Sequence, residues 1–290
     1  MRALITGSSG QLGVELLNTV PRGIEAIGLS HQQCDITNVR QLDEVFHNYQ
    51  PSVVINAAAL ADVDAAETHH DKAEAINATG PGNVARAATK VGARTIHIST
   101  DYVFDGRRTT PYPPDAETNP VNFYGKSKLA GEKATLAEAR DALIVRSAWL
   151  YAPTGKTFLT RTVESFRAGV APKAIRDKWG SPTLSTDLAE VLWLCVADRS
   201  ITGIYHYANA GSVTRYEIAC EIRRLLINGS GGSDLPEVIP VSSADYKGAA
   251  PRPVHSALDS SALLARLSRP ARDWKSALES AMSRVALAAS

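Results

Sequence analysis

The stretch that decides the fold is Arg2-Ala3-Leu4-Ile5-Thr6-Gly7-Ser8-Ser9-Gly10-Gln11-Leu12-Gly13. Its first five residues have the pattern of a short buried strand, and the run from Val14 to Val20 has that of a helix. Gly7 permits a tight turn, Gly10 lets the backbone approach a pyrophosphate, and Gly13 lets the helix pack on the strand. Because helix N-termini attract anions, this unit predicts a dinucleotide site. The alternative is a glycine turn that binds nothing.

Further strands and helices alternate along the chain. Apolar runs predict strands at Ile24 to Leu29, Ser52 to Asn56, Arg94 to Ser99, Ala142 to Ser147 and Gly203 to Ala208. Helical spacing of apolar residues runs from Val39 to Tyr49, from Asp71 to Val91 and from Tyr124 to Ala139. Crossovers of this length predict an α/β protein with a doubly wound parallel sheet that is covered on both faces.

Ligands bind at the carboxyl ends of the strands in such a sheet. Four strands lead at this edge into polar or glycine-rich segments. We expect these segments to line one cleft: Gly7 to Gly13, Asn56 to Ala59, Ser99 to Gly106 and Ser147 to Tyr151.

The alternation becomes irregular after about residue 150. Helices are predicted from Lys156 to Ala168 and from Thr183 to Ala197, a flexible turn from Asn228 to Ser233, and a proline-rich segment from Pro236 to Pro253. We therefore expect a dinucleotide-binding domain over 1–150, to which 178–208 returns. The remaining segments, 151–177 and 209–290, are expected to form a smaller C-terminal α/β domain for the substrate.

Composition excludes several classes of protein. The 290 residues are 44% hydrophobic and 21% charged, with a formal net charge of +1, which is typical of a globular chain. The densest basic cluster, Arg107-Arg108, is too short for a nucleic-acid partner. No apolar stretch approaches the roughly 20 residues that span a bilayer, and no secretory signal precedes the first strand, so we expect a cytoplasmic protein with no membrane contact. Cys34, Cys195 and Cys220 form no metal or disulfide pattern and are expected to be reduced, the last two in the core.

Tyr124 and Lys128 are four residues apart in a predicted helix and therefore share a face. An ammonium near the phenol lowers its pKa from about 10 toward neutrality, and such a phenol can donate a proton to a carbonyl oxygen. The pattern alone is weak, since the spacing also arises from a tyrosine packed on a loop and a solvated lysine.

Further motifs occur in order along the chain: Asn56-Ala57-Ala58-Ala59, Val63-Asp64-x-x-Glu67, Asn77-Ala78, Ser99-Thr100-Asp101-Tyr102-Val103-Phe104-Asp105-Gly106, Tyr124-Gly125-x-x-Lys128, Arg146-x-x-Trp149, Asp177-x-x-Gly180-x-Pro182-Thr183, Arg252-Pro253 with Ser256-x-Leu258-Asp259, and Trp274-x-x-Ala277-Leu278. With the Gly-x-x-Gly-x-x-Gly turn, which is typical of extended short-chain dehydrogenases, they make the chain resemble the dTDP-4-dehydrorhamnose reductases nearly from end to end. The chain departs from that pattern at Leu60, Ala61 and His255.

The resemblance implies a Rossmann-type fold and the reduction of the C4 keto group of dTDP-4-dehydro-6-deoxy-L-mannose to dTDP-L-rhamnose. Tyr124 is then the acid, Thr100 donates a hydrogen bond to the same oxygen, and Lys128 holds the nicotinamide ribose. Substrate contacts are expected from Thr100, Asp101, Tyr102, Tyr124 and Trp149. The alternatives are a turn or helix cap at Thr100-Asp101 and a plain hydrophobic lid at Trp149.

The cofactor implied is NADPH, with NADH possible, because Ser30 and His31 stand where an acidic residue would repel a 2′-phosphate. Asp35 has the sequence distance expected for contact with the ribose or the adenine. The expected cofactor contacts are Gly7, Ser9, Gly10, Gln11, Leu12, Gly13, Asp35, Ile36, Ala57, Ala58, Ala59, Ser99, Tyr124 and Lys128.

Some questions stay open from the sequence. The protein is expected to be a monomer or a homodimer, and magnesium is possible at a dimer interface, with Glu15 and Glu190 as candidates; we predict no definite metal ligands.

One alternative function is another nucleotide-sugar epimerase, dehydratase or reductase, although a dehydratase would have glutamate at Tyr102. Another is a non-catalytic, NADP-binding regulatory subunit of methionine adenosyltransferase, which has no chemical reason to keep Thr100, Tyr124 and Lys128.

Overall fold

Ten strands lie in the described part of the chain, which is residues 1–230, 234–245 and 248–287 of a computed structural model. They are β1 (Arg2–Thr6), β2 (Glu25–Leu29), β3 (Val53–Asn56), β4 (Arg94–Thr100), β5 (Leu143–Ser147), β6 (Leu150–Tyr151), β7 (Lys173–Ile175), β8 (Thr183–Leu184), β9 (Gly203–His206) and β10 (Ile239–Val241).

Six of these strands form one parallel sheet in the order β2-β1-β3-β4-β5-β9. Consecutive strands lie on opposite sides of β1, so the direction of winding changes between β1 and β3. The doubly wound parallel sheet predicted from the sequence is confirmed. A cleft is expected where the winding changes, at the carboxyl ends of β1 and β3. Two further sheets have two strands each, β7 with β10 and β6 with β8.

The helices in chain order are α1 (Gln11–Asn18), α2 (Val39–Tyr49), α3 (Val63–Thr68), α4 (His70–Ala73), α5 (Gly80–Lys90), α6 (Phe123–Glu138), α7 (Phe158–Arg167), α8 (Ser185–Ala197), α9 (Arg215–Ser230), α10 (Ser261–Arg266) and α11 (Trp274–Leu287). A π-helix covers Glu74–Thr79, and short 3₁₀ turns cover Asp101–Val103 and Ser243–Asp245. No helix of these ranges is long and apolar enough to cross a membrane.

Alternate residues of the buried strands face two different helix layers. Ala3 and Ile5 of β1 pack in one cluster with residues of α1 and α8, whereas Leu4 packs in another with Leu42 and Phe46 of α2. Both faces of the sheet are therefore apolar, as an all-parallel sheet requires. A third large cluster joins α7, α9 and α11 beyond the sheet, and Ile222 and Ala281 lie in it.

The helix predicted from Asp71 to Val91 is interrupted. It divides into α4, the π-helix and α5. Pro81 has no N–H to donate to the carbonyl of Asn77, four residues earlier, so an unbroken α-helix would lack a hydrogen bond there. Glycine in α6 then allows a close approach, because a Cβ at Gly131 would collide with the Asn77 carbonyl oxygen.

Other boundaries differ by a few residues. The first helix begins at Gln11 rather than Val14, and α9 continues through Asn228, Gly229 and Ser230, where a turn was predicted. The rest of that predicted turn, 231–233, lies outside the described residues. Cys195 is buried as expected, but Cys220 is only half-buried.

We expect Gly131→Ala to lower the free energy of unfolding by about 1 to 3 kcal/mol, because the added methyl forces α6 away from the π-helix. Gly229→Ala is the matched control, since no atom lies near a Cβ at that helical position. The control should leave stability unchanged or raise it by under about 1 kcal/mol. Urea unfolding followed by circular dichroism measures both, and equal effects would contradict the packing described.

Candidate active site

A cleft of about 730 Å³ lies at the carboxyl edge of the sheet. The ends of β1, β3, β4 and β5 all reach it, as the polar segments after these strands predicted. Most of the residues predicted to bind cofactor or substrate line this cleft: Ser9, Gly10, Gln11, Leu12, Gly13, Ala57, Ala59, Ser99, Thr100, Asp101, Tyr102, Tyr124, Lys128 and Trp149.

The glycine turn provides an anion site at one end of the cleft. Gly7 has a φ of +71°, and a Cβ there would lie 2.7 Å from the backbone nitrogen of Ala58. A Cβ at Gly13 would collide with the carbonyl oxygen of Gly7. No side chain caps the N-terminus of α1, so its first N–H groups are available to a ligand. This donor set suits the pyrophosphate of a dinucleotide.

Four of the predicted cofactor residues do not line the cleft. Gly7 and Ala58 pack against each other beneath its floor. The Asp35 carboxylate accepts hydrogen bonds from the backbone N–H and hydroxyl of Thr37, at 2.9 and 2.8 Å. Ile36 is buried and would contact a Cβ at Gly80. The cofactor contacts of these four residues stay a prediction.

Tyr124 lies in the first turn of α6, where Asn122 caps the helix by accepting from the N–H of Gly125 at 2.8 Å. Burial raises the pKa of Tyr124 to about 12; the Thr100 hydroxyl opposes this shift, and the charge of Asp101 adds to it. Tyr124 therefore has a raised pKa and not the lowered one that its spacing from Lys128 predicted. A phenol of this pKa is protonated at neutral pH and can act as an acid.

Lys128 points into the protein rather than into solvent. Its Nζ donates to the carbonyl oxygen of Ile98 at 2.6 Å and lies 3.4 Å from Nε2 of His97. Burial lowers the pKa of Lys128 to about 8, although the Glu132 carboxylate opposes the shift. The spacing from Tyr124 placed both residues on one helix face, but it could not reveal these contacts on β4.

A buried ion pair anchors the same helix to the sheet. Both carboxylate oxygens of Glu132 accept from the Arg146 guanidinium of β5, each at 2.8 Å, and both side chains are buried. The hydroxyl of Ser99 also donates to Glu132. Ser99 is therefore bonded to the helix, which leaves it at the cleft wall with its hydroxyl already satisfied.

Thr100 and Asp101 form the turn that follows β4. The Thr100 hydroxyl donates to Oδ1 of Asp101 at 3.1 Å and accepts from the N–H of Tyr102. Oδ2 of Asp101 is buried and has no hydrogen-bond partner among the described residues. Burial raises the pKa of Asp101 to about 7, with the Ser256 and Thr100 hydroxyls opposing the shift. The turn alternative is thus correct for the local backbone, and Asp101 also lines the cleft.

Arg215 is a cleft residue that the sequence motifs did not indicate. Its guanidinium lies 4.3 Å from the ring centre of Trp149 and 4.7 Å from that of Phe158. Burial lowers the pKa of Arg215 to about 10, and the hydroxyl of Tyr102 and the carboxyl of Asp101 oppose that shift. Lys156 also lines the cleft. The side of the cleft formed by the loop before α7 and the start of α9 therefore carries two cations.

Glu15 is not the surface carboxylate that the magnesium expectation assumed. It is buried, accepts from the Thr186 hydroxyl at 2.7 Å and pairs with Arg284 at 3.2 Å. Glu190 is exposed. Within the described ranges, no three His, Cys, Asp or Glu side chains cluster as a metal site would require. Glu15 joins α1 to α11 instead.

Comparison with known proteins agrees with this geometry. The model of the RmlD substrate binding domain family matches residues 1–287. The chain belongs to this family. A dTDP-4-dehydrorhamnose reductase from Mycobacterium tuberculosis is 42% identical over 289 residues, covering 97% of this chain and 92% of the relative. A probable dTDP-4,6-dihydroxy-2-methyloxan-3-one 4-ketoreductase from Streptomyces antibioticus is 37% identical and covers 97% and 94%.

Solved structures of family members share the fold. The dTDP-4-dehydrorhamnose reductase of Bacillus anthracis, in complex with NADP, is 32% identical with a TM-score of 0.91, covering 97% of this chain and 98% of that one. A dTDP-4-dehydrorhamnose reductase from Clostridium acetobutylicum is 36% identical with a TM-score of 0.90, covering 98% and 99%. The fold is thus that of the solved dTDP-4-dehydrorhamnose reductases.

We expect Asp101→Asn to stabilise the protein increasingly as pH rises. The folded state holds the Asp101 proton to about pH 7, whereas an unfolded aspartate loses it near 3.8, so the wild-type side chain costs stability above about pH 4. The gain from the substitution should grow by about 2 to 3 kcal/mol between pH 5 and pH 8.5. Urea unfolding at both pH values measures it, and an equal gain at each would contradict the raised pKa.

Proposed function

We propose that the protein reduces the C4 ketone of dTDP-4-dehydro-6-deoxy-L-mannose with NADPH, giving dTDP-L-rhamnose and NADP⁺ with uptake of one proton. The observation that carries the proposal is the cleft that joins a glycine turn fit for a pyrophosphate to Tyr124, Thr100 and Lys128. Membership of the RmlD family, and relatives at 40% to 42% identity with the reductase name, support it.

When bound, the nicotinamide supplies the hydride, and the residues of this chain handle the proton. Negative charge develops on the ketone oxygen as the hydride arrives. Tyr124 is protonated at neutral pH and gives its proton to that oxygen. The single hydrogen of the Thr100 hydroxyl, which points to Asp101 in the structure, would turn to the same oxygen and donate a hydrogen bond. Lys128, one turn later on the same helix, would hold the ribose of the cofactor, and its ammonium is the source of the proton that restores Tyr124.

The nucleotide part of the substrate has two phosphates, and the cations on the far side of the cleft are suited to them. Arg215 is fixed by its contacts with Trp149 and Phe158, so little side-chain freedom is lost on binding. Lys156, which is exposed, adds a second positive charge to the cleft. We assign the sugar nucleotide to this side, formed by 151–177 and 209–290, and the cofactor to the part formed by 1–150.

A second substrate deserves a direct comparison. A relative from Streptomyces niveus, 33% identical over 283 residues, is a dTDP-4-keto-6-deoxy-D-glucose reductase. The two sugars differ in configuration at C3 and C5, and both present a ketone at C4. The proton donor required is the same for both, so the pocket walls decide between them.

The test is NADPH oxidation at 340 nm with substrate made from dTDP-glucose. The 4,6-dehydratase alone gives the 4-keto-6-deoxy-D-glucose derivative, and adding the 3,5-epimerase gives the 4-dehydrorhamnose derivative. We expect turnover that depends on the epimerase. Turnover that is as fast without the epimerase would instead favour the D-glucose substrate.

Tyr124→Phe should lower kcat by about 100-fold or more, because it removes the proton donor and leaves the ring. Tyr112→Phe is the matched control: Tyr112 is also buried, but its hydroxyl donates to Asp105 at 2.9 Å, away from the cleft. We expect the control to retain wild-type kcat. Wild-type protein that binds NADPH but turns over neither sugar would support the regulatory subunit of methionine adenosyltransferase instead.

Ser30→Asp should separate the two cofactors. Ser30 follows β2, where its hydroxyl bonds to Gln33 at 3.0 Å, and we place the 2′-phosphate of NADPH near it. An aspartate there should lower kcat/KM for NADPH by about 10-fold or more through charge repulsion and leave that for NADH nearly unchanged. Ser30→Ala controls for loss of the hydroxyl. Equal losses with both cofactors would place the phosphate elsewhere.

A further inference from the structure

A buried chain of hydrogen bonds crosses the sheet beneath the cleft. The Thr6 hydroxyl of β1 donates to Oδ1 of Asn56 on β3 at 2.7 Å. Nδ2 of Asn56 lies 3.1 Å from Nδ1 of His97 on β4. Nε2 of His97 then lies 3.4 Å from Nζ of Lys128 on α6. All four side chains are at most 2% exposed, so water does not replace these contacts.

The hydrogen bonds of Asn56 indicate which ring nitrogen of His97 carries the proton. The backbone N–H of Ala58 donates to Oδ1 of Asn56 at 3.2 Å, which orients the amide so that its NH₂ group faces His97. Nδ1 of His97 therefore accepts a hydrogen bond. Burial and the charge of Lys128 keep the pKa of His97 well below its usual value, so the ring is neutral. These side-chain contacts assign its one proton to Nε2, which faces Lys128.

An N–H donor opposite Lys128 distinguishes the two forms of that side chain. The uncharged amine has a lone pair that accepts from Nε2–H and still has hydrogens to donate to the carbonyl of Ile98. The ammonium has no lone pair and meets a donor. The contact therefore favours the amine.

Other titratable or charged groups also surround Lys128. The negative charge of Glu132 favours the ammonium form of Lys128. The Glu132 carboxylate is also paired with Arg146 of β5 and accepts a hydrogen bond from the Ser99 hydroxyl. The groups that face Lys128 or its immediate neighbours are Tyr124 and Glu132 on α6, His97 on β4, Asp101 after β4, and Arg146 on β5.

We propose that His97 is a positioning residue for the reduction: it acts through Lys128, whose uncharged form it stabilises by an Nε2–H donor. The proposal rests on the proposed function. After Tyr124 gives its proton to the sugar oxygen, the Lys128 ammonium is the source of the proton that restores the phenol, and the amine regains one proton from solvent. A lysine biased toward the amine releases that proton more readily.

The expected pH dependence has a definite sign. Reduction needs the protonated lysine, so kcat/KM should fall as pH rises through the Lys128 pKa of about 8. Without the His97 donor the ammonium is favoured, and the fall should move to higher pH by about 0.5 to 1 unit.

Two substitutions at His97 test this. His97→Asn places an amide near the Nδ1 position and can still accept from Asn56, but it removes the donor that faces Lys128. His97→Gln places an amide near the Nε2 position, where its oxygen accepts from the ammonium. The control is Thr95→Val, because Thr95 lies two residues earlier on β4, is buried, and has a hydroxyl with no partner among the described residues.

The readout is the pH profile of kcat/KM for NADPH oxidation with the sugar substrate, with unfolding measured alongside. We expect both His97 variants to move the high-pH fall upward, His97→Gln further, and Thr95→Val to leave it in place. If one His97 variant does not fold, the pH profile of the other still tests the role of His97. Lower stability with an unmoved profile would overturn the role of His97, whereas absence of turnover in the wild type would overturn the proposed function itself.

Discussion

The buried ion pair between Glu132 and Arg146 is the contact on which the site depends most. It joins α6 to β5, and through Ser99 it joins the same helix to β4. Removing one partner of such a pair leaves an uncompensated buried charge, which costs about 3 to 5 kcal/mol. Because Lys128 and Tyr124 lie one and two turns before Glu132 on α6, the position of this pair sets theirs relative to the carboxyl edge of the sheet.

Close packing of the backbone supplies the second constraint. Gly13 brings α1 against the turn after β1, and Gly131 brings α6 against the π-helix. Both contacts bring elements nearer than a side chain would permit. The anion site at α1 and the proton donor on α6 are held at the same edge of the sheet for this reason.

Much of the fold follows from local rules that can be applied to the sequence. The strand, glycine turn and helix over residues 2–18 follow from apolar spacing and from three glycines, and the parallel order follows from the length of the crossovers. The break in the helix before α5 did not follow from periodicity, because it depends on Pro81 and on the contact of Asn77 with a distant helix. The spacing of residues predicts which of them share a helix face, but it does not predict which element packs against that face.

The sequence likewise predicted some residues of the site and missed others. Thr100, Tyr124 and Lys128 were predicted because motif and spacing place them near one strand end, and all three line the cleft. Arg215 escaped prediction because it reaches the cleft from α9 through contacts with two aromatic rings far away in sequence. The pKa of Tyr124 was misjudged because Lys128 turns toward His97 and Ile98 instead of the phenol.

Delivery of hydride to the sugar carbon beside Tyr124 is tested most directly by isotope transfer. NADPH carrying deuterium at C4 of the nicotinamide, prepared separately for each face, would be incubated with the protein and the 4-dehydrorhamnose nucleotide. Mass spectrometry and proton NMR of the product would locate the label. Deuterium at C4 of the sugar from one face of the cofactor alone is the result expected. Product that contains no deuterium at C4, or label at a different carbon, would contradict a direct reduction in this cleft.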